Sequence, residues 1–500
     1  MSLSTDPSPE TDPTTVDLVL DGLAAVAGEL ADTAPSDRAV ALRAVADALD
    51  VQADDLAELA HGETRLPMPR LVGEVARTTG QLRLFADELE DGSWLDAVID
   101  TPDPGAVPVP RPDLRRMQVS LGPVVVFAAS NFPFAFSVAG GDTASALAAG
   151  CPVVVKAHPG HPLTSRRTAE VVTQAWEGAG MPNGSFALVE GVDTGIQVLR
   201  HPVVAAGAFT GSERGGTALA RVAAEREVPV PFYAEMGSLN PVFVTPGAVA
   251  TRGDAIADGY VASFTLGVGQ FCTKPGLLFL PRGHGLDARL AAAVEGVASG
   301  PMLVPRIAEA SAAGQAAVSA VPGVRTIAAV ASAGPGPLGN ALLVATDARG
   351  LLEHRDVLLA ECFGPTSVIV EYERPDEALE AARALAGTLT ATVHAEDNEW
   401  PEVEPLVRAL RDRAGRLVWN GWPTGVAVSR AMHHGGPFPA TTQAAHTSVG
   451  ATAIRRFLRP VVYQDYPAAL LPAALRDENP LDLLRRVDGE FTHEALPAHR

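Results

Sequence analysis

Hydrophobic residues recur at helical spacing through most of the first hundred positions. In VDLVLDGLAAVAGEL and DRAVALRAVADALD, apolar residues fall at i, i+3, i+4 and i+7, and Ser36 is a candidate N-cap. This spacing predicts helices between residues 14 and 95. The preceding segment, MSLSTDPSPETDP, has neither a basic flank nor an apolar stretch, so residues 1–13 are expected to be a short disordered tail rather than a signal peptide.

The pattern changes after the Pro-rich segment 101–113. Short runs that are apolar at every position now alternate with helical stretches, and such runs are typical of strands buried on both faces. Strand, helix and strand joined by short connections predict a parallel, doubly wound α/β sheet. The predicted strands lie at 121–129, 151–159, 185–191 and 204–211, and the helices at 137–149, 164–180, 193–200 and 213–225.

A second α/β unit is predicted from about residue 236. Its strands are NPVFVTP, GLLFLP (276–281), TSVIVEY (366–372) and LTATVHA (389–395), and residues 305–335 are expected to form a helix and then a strand. RPVVYQ (459–464) is expected to be an edge strand, followed by a Pro- and Leu-rich ending.

Composition and charge exclude several classes of protein. Hydrophobic residues make up 47% and charged residues 19% of the chain, which fits a globular protein. A net charge of −21 argues against nucleic acid or an anionic membrane as partner. No apolar stretch is long enough to span a membrane, and no zinc or EF-hand spacing predicts a metal site. Three cysteines do not make a disulfide framework, so a cytoplasmic location is expected.

Lysine is almost absent from this chain. Of 38 basic residues, only Lys156 and Lys274 are lysines. A bias towards arginine explains the others, but an ammonium group is compact and titratable whereas a guanidinium group is planar and always charged. The two lysines therefore mark positions where arginine does not fit, unless they were retained by chance.

Two residues have the chemistry of a nucleophile and its base. Cys272 lies in Gly-Gln-Phe-Cys-Thr after a predicted helix, where it is either a nucleophile with a lowered pKa or a buried structural thiol. Glu235 lies 37 residues earlier, at the end of an apolar run, where it is either a buried base or a turn residue.

Two further segments lie at the carboxyl ends of predicted strands, where open α/β sheets collect ligands. Asn131 follows strand 121–129 and is either an N–H donor to an oxyanion or a turn residue before Pro133. Residues 209–216, FTGSERGG, open a predicted helix. They form either a phosphate site or a plain N-cap at Ser212.

Taken in order, these segments resemble the aldehyde dehydrogenase superfamily from about residue 15 to 465. The matching positions are Asn131 in a W-N-F-P-like segment, Lys156, Gly211-Ser212 with Gly215 in a G-S-x-x-x-G turn, Glu235-Met236-Gly237, Gly269 to Cys272, and Glu361 to Pro365.

Within the superfamily, the chain is similar to the α-ketoglutarate-semialdehyde dehydrogenases and the NADP-dependent fatty aldehyde dehydrogenases. This similarity rests on Gly140–Thr143, Lys156–Pro159, Met432–Thr441 and Val461–Gln464. The chain departs from the usual superfamily pattern in four respects: Ser130 stands for Trp, Ser238 stands for the second Gly of E-L-G-G, the 37-residue separation of Glu235 and Cys272 is slightly long, and Phe438 is not followed by the common G-G-x-K-x-S-G run.

The resemblance implies a catalytic cycle on Cys272, with Asn131 holding the oxyanion and Glu235 activating water. The expected cofactor is NADP, with NAD possible, because Pro159 stands where NAD-preferring members often carry a carboxylate. The cofactor contacts implied are Ser130, Lys156, His158, Pro159, Gly211, Ser212, Arg214, Gly215, Glu361 and Phe363. The substrate contacts are Phe136, Phe271, Thr273, Lys274, His434 and Phe438.

Three functions remain open at this point. The chain is expected to be an NADP-preferring dehydrogenase of a semialdehyde, α-ketoglutarate semialdehyde first. The alternatives are a fatty aldehyde dehydrogenase and a non-catalytic family member.

The resemblance also implies an aldehyde dehydrogenase fold that assembles as a homodimer or homotetramer. The implied parts are a Rossmann-like cofactor domain (14–104 and 122–235), a catalytic domain (236–432), oligomerisation strands (105–121 and 459–465), a return segment near the site (433–458) and a C-terminal tail (466–500).

Overall fold

The computed structural model describes residues 9–331 and 336–496. The chain opens with four helices whose apolar stripes pack on the first sheet, as their spacing predicts. They are α1 (Pro13–Asp32), α2 (Pro35–Val51), α3 (Ala53–Thr64) and α4 (Met68–Asp91).

The segment before α1 is attached to the domain, so the predicted tail is wrong for residues 10–12; residues 1–8 lie outside the described part of the chain. The Glu10 carboxylate accepts hydrogen bonds from the amides of Val192 and Thr194, each at 2.8 Å. The amide of Thr11 donates to the carbonyl oxygen of Glu190. A carboxylate at a helix N-terminus satisfies amides that have no partner within the helix.

The first sheet has the predicted parallel, doubly wound topology, with strand order β5-β4-β3-β6-β7. Its strands are apolar because helices cover both faces. Its elements are β3 (Val124–Phe127), α5 (Gly141–Ala148), β4 (Val153–Lys156), α6 (Pro162–Gly178), β5 (Phe186–Val189), α7 (Val192–Arg200), β6 (Ala206–Thr210), α8 (Glu213–Ala224) and β7 (Phe232–Glu235).

The second sheet has the order β11-β13-β14-β9-β8-β15-β16 and is parallel except for the β11–β13 pair. The elements of this unit begin with β8 (Val242–Val244), α9 (Pro246–Thr265), β9 (Leu277–Pro281), α10 (Asp287–Glu295), β10 (Gly300–Pro301), α11 (Pro305–Ser319), β11 (Arg325–Ala329) and β12 (Leu338–Gly339). Of these, β10 and β12 pair with each other as a separate two-stranded sheet. The unit continues with β13 (Leu342–Asp347), α12 (Ala348–Glu353), α13 (Arg355–Leu358), β14 (Thr366–Tyr372), α14 (Pro375–Ala384), β15 (Thr388–His394), α15 (Trp400–Arg411) and β16 (Ala414–Trp419).

A third sheet has the order β17-β2-β1-β18-β19 and corrects two predicted boundaries. Residues 98–100 belong to this sheet and not to the cofactor unit. The ending after 465 is not a simple tail, because residues 485–487 pair with residues 98–100. The strands are β1 (Val98–Asp100), β2 (Leu114–Ser120), β17 (Leu458–Gln464), β18 (Arg485–Val487) and β19 (Glu490–Thr492).

Residues 105–113 precede β2 and are not part of a strand, although 105–121 is predicted as one element. The predicted edge strand at 459–464 is confirmed, since β17 pairs only with β2 among the described strands. Within the described residues, no helix is both long and apolar enough to cross a membrane.

Candidate active site

Three titratable side chains meet between the first two sheets. The ligand atoms of Glu235, Cys272 and His434 all lie within 4.8 Å of one another. His434 Nε2 lies 2.9 Å from Glu235 Oε1 and 3.4 Å from Cys272 Sγ. Glu235 and His434 are buried, whereas Cys272 is partly exposed. The thiol is therefore the member of this group that a substrate reaches.

Glu235 is the last residue of β7, at the carboxyl end of a parallel strand, and the return segment fixes its side chain. The Ser448 hydroxyl donates to Oε2. Burial raises the pKa of Glu235, but the charge and hydrogen bond of His434 and the hydrogen bonds of Ser448 and Cys272 outweigh burial and hold the pKa below its usual value. Glu235 is therefore a carboxylate at neutral pH.

The pKa of the Cys272 thiol is shifted in the opposite direction. Burial, together with the charge and hydrogen bond of Glu235, raises the pKa of Cys272 well above its usual value, although the positive charge of Arg77 opposes this. The resting cysteine is therefore protonated. Since the thiolate is the nucleophile, attack requires that the thiol first lose its proton, and the partial exposure of Cys272 gives it access to water.

The backbone before Cys272 is left-handed at three successive residues. Gly267, Val268 and Gly269 have φ of 57°, 60° and 65°. This conformation is costly for a β-branched residue and occurs where surrounding structure enforces it. A Cβ on Gly269 would lie 2.3 Å from the carbonyl carbon of Gly364, so glycine is required for the loops that carry Cys272 and Glu361 to touch.

Asn240 holds the nucleophile loop from the other side. Its Nδ2 donates to the carbonyl oxygens of Cys272 (2.8 Å) and Lys274 (3.0 Å). Sequence reasoning missed this residue. The available signal is its place in an Asn-Pro pair just past Glu235, the kind of pair that favours turns.

The structure brings Asn131 to this loop, as predicted. Its Nδ2 donates to the carbonyl oxygen of Gln270 at 3.0 Å, and its own carbonyl oxygen accepts from Arg70 Nη2 at 2.6 Å. Gln270 is in turn fixed, because its Oε1 accepts from the amide of Leu303 at 3.0 Å. An amide donor thus stands one residue from Phe271, beside the nucleophile, which suits stabilisation of an oxyanion.

Three phenylalanines line the approach to the thiol. Phe132 packs edge to face on Phe136 and on Phe271, with ring centroids 5.3 Å apart in both pairs. Phe271 precedes Cys272 in the chain, and Phe136 joins it through Phe132. An apolar wall of this kind excludes water from the reacting carbon.

Lys156 lies apart from this centre, at the end of β4. It is 9% exposed, and its ammonium group makes no hydrogen bond or ion pair with any other described residue. Burial lowers its pKa to about 8. Its side chain crosses Gly195, where an added Cβ would lie 3.0 Å from Lys156 Cγ. The ammonium group is thus available to a polar or anionic ligand.

The neighbours of Lys156 have mixed roles. Burial lowers the pKa of His158 well below its usual value, so the ring is neutral, and its Nδ1 accepts from the amide of Gly160 at 3.0 Å. Pro159 is exposed.

In the predicted phosphate turn, Ser212 Oγ accepts from the amide of Gly215 at 3.2 Å, which confirms the N-cap interpretation. Gly211 and Arg214 are exposed beside this cap.

Glu361 closes the space between the two sheets. Its Oε1 accepts from the amide of Ser238 at 3.2 Å, and a Cβ on Gly237 would lie 1.9 Å from its Oε2. Burial raises the pKa of Glu361, although Lys274 and the Ser238 amide oppose the rise. Phe363 and Ser130 are half-buried.

Two predicted substrate contacts are corrected. The Lys274 ammonium group donates to the carbonyl oxygens of Cys362 (3.1 Å) and Thr366 (2.9 Å) and is buried, so it ties the Glu361 loop to the nucleophile loop. Phe438 is 61% exposed rather than enclosed by the site. Thr273 is buried, and its hydroxyl has no hydrogen-bond partner.

The other two cysteines serve packing. Cys151 is buried, and its thiol donates to the carbonyl oxygen of Phe457 at 3.4 Å. Cys362 donates to the carbonyl oxygen of Ser311 at 3.6 Å. Neither thiol lies within the group formed by Glu235, Cys272 and His434.

The site combines a partly exposed thiol beside a buried carboxylate with an unpaired lysine at the carboxyl end of a parallel sheet. This combination suits a nucleophilic enzyme that also binds a polar cofactor. The model of the aldehyde dehydrogenase family matches residues 7–438. The chain therefore belongs to the aldehyde dehydrogenase family, and it is an oxidoreductase of a family that uses NAD(P).

Two relatives with assigned activities are similar over most of the chain. The chain is 50% identical to alpha-ketoglutaric semialdehyde dehydrogenase 2 of Azospirillum brasilense over 91% of its length and 87% of the relative. It is 43% identical to alpha-ketoglutaric semialdehyde dehydrogenase of Acinetobacter baylyi over 92% of its length and 88% of the relative.

Solved structures share the fold at lower identity. Aldehyde dehydrogenase 21 of Physcomitrella patens, solved with the reaction product succinate, superposes with a TM-score of 0.78 at 19% identity, over 93% of this chain and 92% of that one. Proline utilization A of Bradyrhizobium japonicum superposes with a TM-score of 0.76 at 21% identity over 91% of this chain. The chain spans 45% of that longer protein.

Proposed function

We propose that this chain is an NADP-preferring dehydrogenase that oxidises α-ketoglutarate semialdehyde to 2-oxoglutarate. The observation that carries the chemistry is the position of His434 Nε2 between Cys272 Sγ and Glu235 Oε1. The substrate is taken from the two relatives named for it, which are 50% and 43% identical.

The first chemical step is attack of Cys272 on the aldehyde carbon. Cys272 first loses its proton to solvent water, and the thiolate Sγ then forms the new C–S bond, while His434 Nε2 donates to the Glu235 carboxylate. The oxyanion on the former carbonyl oxygen is held by Asn131 Nδ2 and by a backbone N–H near Cys272. One such donor contributes about 10²–10³ in rate.

NAD(P), when bound, supplies the acceptor for the hydride that leaves the thiohemiacetal carbon. Two features fit such a cofactor: the unpartnered ammonium group of Lys156, and the carboxylate of Glu361, which only a glycine at 237 accommodates. Lys156 would meet the adenosine ribose or its 2′-phosphate, and Glu361 would accept from the nicotinamide ribose hydroxyls. The rest of the cofactor site would be lined by eight further residues: Ser130, His158, Pro159, Gly211, Ser212, Arg214, Gly215 and Phe363.

Hydrolysis of the thioester completes the cycle. Glu235 is a carboxylate at neutral pH, so it accepts a proton from water as the water attacks the thioester carbon. The C–S bond breaks, the acid leaves, and the Cys272 thiolate takes the proton back from Glu235. Ser448 and His434 keep the carboxylate aimed at the thiol during this step.

The preference for NADP rests on the absence of a carboxylate at Pro159 and on the free cation of Lys156. The domain limits, the homodimer or homotetramer, and the cytoplasmic location belong to the same proposal. Three free cysteines, of which one is the nucleophile, suit a reducing compartment.

A steady-state panel tests the substrate assignment. The purified protein is given 2,5-dioxopentanoate, succinate semialdehyde, hexanal and dodecanal with NADP and with NAD. We expect the highest kcat/KM with 2,5-dioxopentanoate. A higher kcat/KM with dodecanal would assign the chain to the fatty aldehyde alternative, and no turnover of any aldehyde would support a non-catalytic member.

A further inference from the structure

Two arginines on one face of α4 lie against the phenylalanines that line the approach to Cys272. The guanidinium carbon of Arg77 is 5.4 Å from the ring centroid of Phe136 and 5.8 Å from that of Phe132. That of Arg70 is 5.1 Å from Phe132 and 4.9 Å from Phe271. Planar guanidinium groups stack on aromatic faces in this way, and stacking fixes their orientation.

These arginines carry buried donors that have no protein partner. Arg77 Nε and Nη2 and Arg70 Nη1 are inaccessible to solvent and make no hydrogen bond. Neither arginine forms an ion pair with a carboxylate in the described part of the chain. A buried cationic donor without a partner is costly, so such donors indicate a ligand that completes them.

The carboxylate between them on α4 does not serve as this partner. Glu74 Oε1 accepts from the amides of Phe134 (2.8 Å) and Ala135 (3.0 Å), which fixes it to the loop after Asn131. Burial raises the pKa of Glu74 to about 7. The pair Arg70 and Arg77 therefore keeps a net positive charge beside the apolar wall.

We propose that Arg77 Nε and Nη2, assisted by Arg70 Nη1, bind the carboxylate at the far end of the semialdehyde substrate. The guanidinium fork matches a carboxylate in two parallel N–H···O bonds, and the three rings enclose the short chain between that carboxylate and the aldehyde. This inference rests on the proposed function, since it concerns the same site. It assigns the binding of the substrate carboxylate to the two arginines and not to Lys274, whose ammonium group is held by two carbonyl oxygens.

The two arginines differ in what else they do. Arg70 Nη2 donates to the carbonyl oxygen of Asn131, so losing Arg70 also disturbs the oxyanion donor. No nitrogen of Arg77 is bonded to another described residue, which makes Arg77 the cleaner position for a test. Methionine suits the substitution, because its flexible apolar side chain can still pack against the rings.

The experiment compares a charged and an uncharged aldehyde of similar length. For wild type and Arg77→Met, kcat/KM is measured with succinate semialdehyde and with hexanal, and folding is checked by thermal unfolding. We expect the kcat/KM of Arg77→Met to fall about 100-fold more with succinate semialdehyde than with hexanal, mostly through a higher KM. Arg77→Lys should recover part of the loss, because a point charge remains without the fork.

Arg416→Met is the matched control. Arg416 also lies near Cys272, where its charge interacts with the thiol. Its Nε is unpartnered, but both ends of its fork, Nη1 and Nη2, are occupied because they donate to the carbonyl oxygens of Gly425 and Pro423. Arg416→Met should change kcat/KM by the same factor with both aldehydes. Equal losses with both aldehydes in Arg77→Met would overturn the inference. If wild type oxidises hexanal but neither semialdehyde, the proposed substrate fails instead.

Discussion

His434 Nε2 lies 2.9 Å from Oε1 of Glu235 and 3.4 Å from Sγ of Cys272. One imidazole thus contacts the base and the nucleophile together. Its charge and hydrogen bond help to hold the pKa of Glu235 below its usual value, so the carboxylate is ionised when water attacks the thioester.

Acylation and hydrolysis should separate in Glu235→Gln. Glutamine keeps the shape of the side chain but cannot accept a proton from water, so the thioester forms and then persists. Rapid mixing of this variant with NADP and semialdehyde should give a burst of NADPH close to one equivalent per site, followed by turnover slowed by roughly 10²–10⁴. Steady-state turnover equal to wild type would remove Glu235 from the mechanism.

The charges around the thiol should be visible in its alkylation. Burial and Glu235 raise the pKa of Cys272, and Arg77 opposes the rise. Glu235→Gln removes a negative charge and should move the midpoint of the pH profile for iodoacetamide reaction to lower pH. Arg77→Met removes a positive charge and should move it to higher pH. Shifts in the same direction for both variants would contradict this electrostatic account.

Cofactor preference should depend on two charges near the end of β4. Lys156→Ala should raise KM for NADP at least about tenfold more than KM for NAD, because an ammonium group pairs more strongly with a 2′-phosphate than with a hydroxyl. Glu10 raises the pKa of Lys156 through its negative charge, so Glu10→Gln should leave less of Lys156 charged and reduce the preference for NADP.

The ratio of kcat/KM with NADP to kcat/KM with NAD measures both effects. Arg167→Gln, on the exposed face of α6, is a control that removes a surface cation paired with Glu170. Equal losses for both cofactors in Lys156→Ala, or a tenfold preference of wild type for NAD, would refute the assignment to the 2′-phosphate.

Assembly should depend on the edge strand β17. It pairs with β2 on one side only, and Val462 on it is 55% exposed. An open strand edge of this kind is a template for pairing with a second chain. Light scattering at micromolar concentration should give two or four times the 51.8 kDa chain mass, and Val462→Asp should weaken the assembly. A wild-type monomer would contradict the prediction.

The sequence carries local patterns better than distant contacts. The helices α1 to α4 and the parallel strands were predictable because apolar periodicity reports which faces are buried. The pairing of 485–487 with 98–100 was not, since nothing near either segment encodes a partner almost four hundred residues away. For the same reason, the sequence predicts a tail where residues 485–487 and 490–492 form strands.

The candidate site divides in the same way. Cys272, Glu235 and Asn131 stand in recognisable motifs, and the structure brings Cys272 and Glu235 together and Asn131 to the neighbouring Gln270. Lys274 is expected at the substrate because it lies two residues past the nucleophile, but the carbonyl oxygens that hold it come from residues 362 and 366, which the sequence around Lys274 does not reveal. Arg70 and Arg77 were missed because arginines on an amphipathic helix usually face solvent.

The central claim is that the substrate is joined covalently to Cys272 and released through Glu235. The most direct measurement is mass spectrometry of Glu235→Gln after one turnover with NADP and succinate semialdehyde, followed by peptide mapping. The account predicts a succinyl adduct on the peptide that carries Cys272 and none in Glu235→Gln combined with Cys272→Ala, which should have lost roughly 10⁴ or more of its activity. An adduct on Cys151 or Cys362, or activity that survives without Cys272, would contradict it.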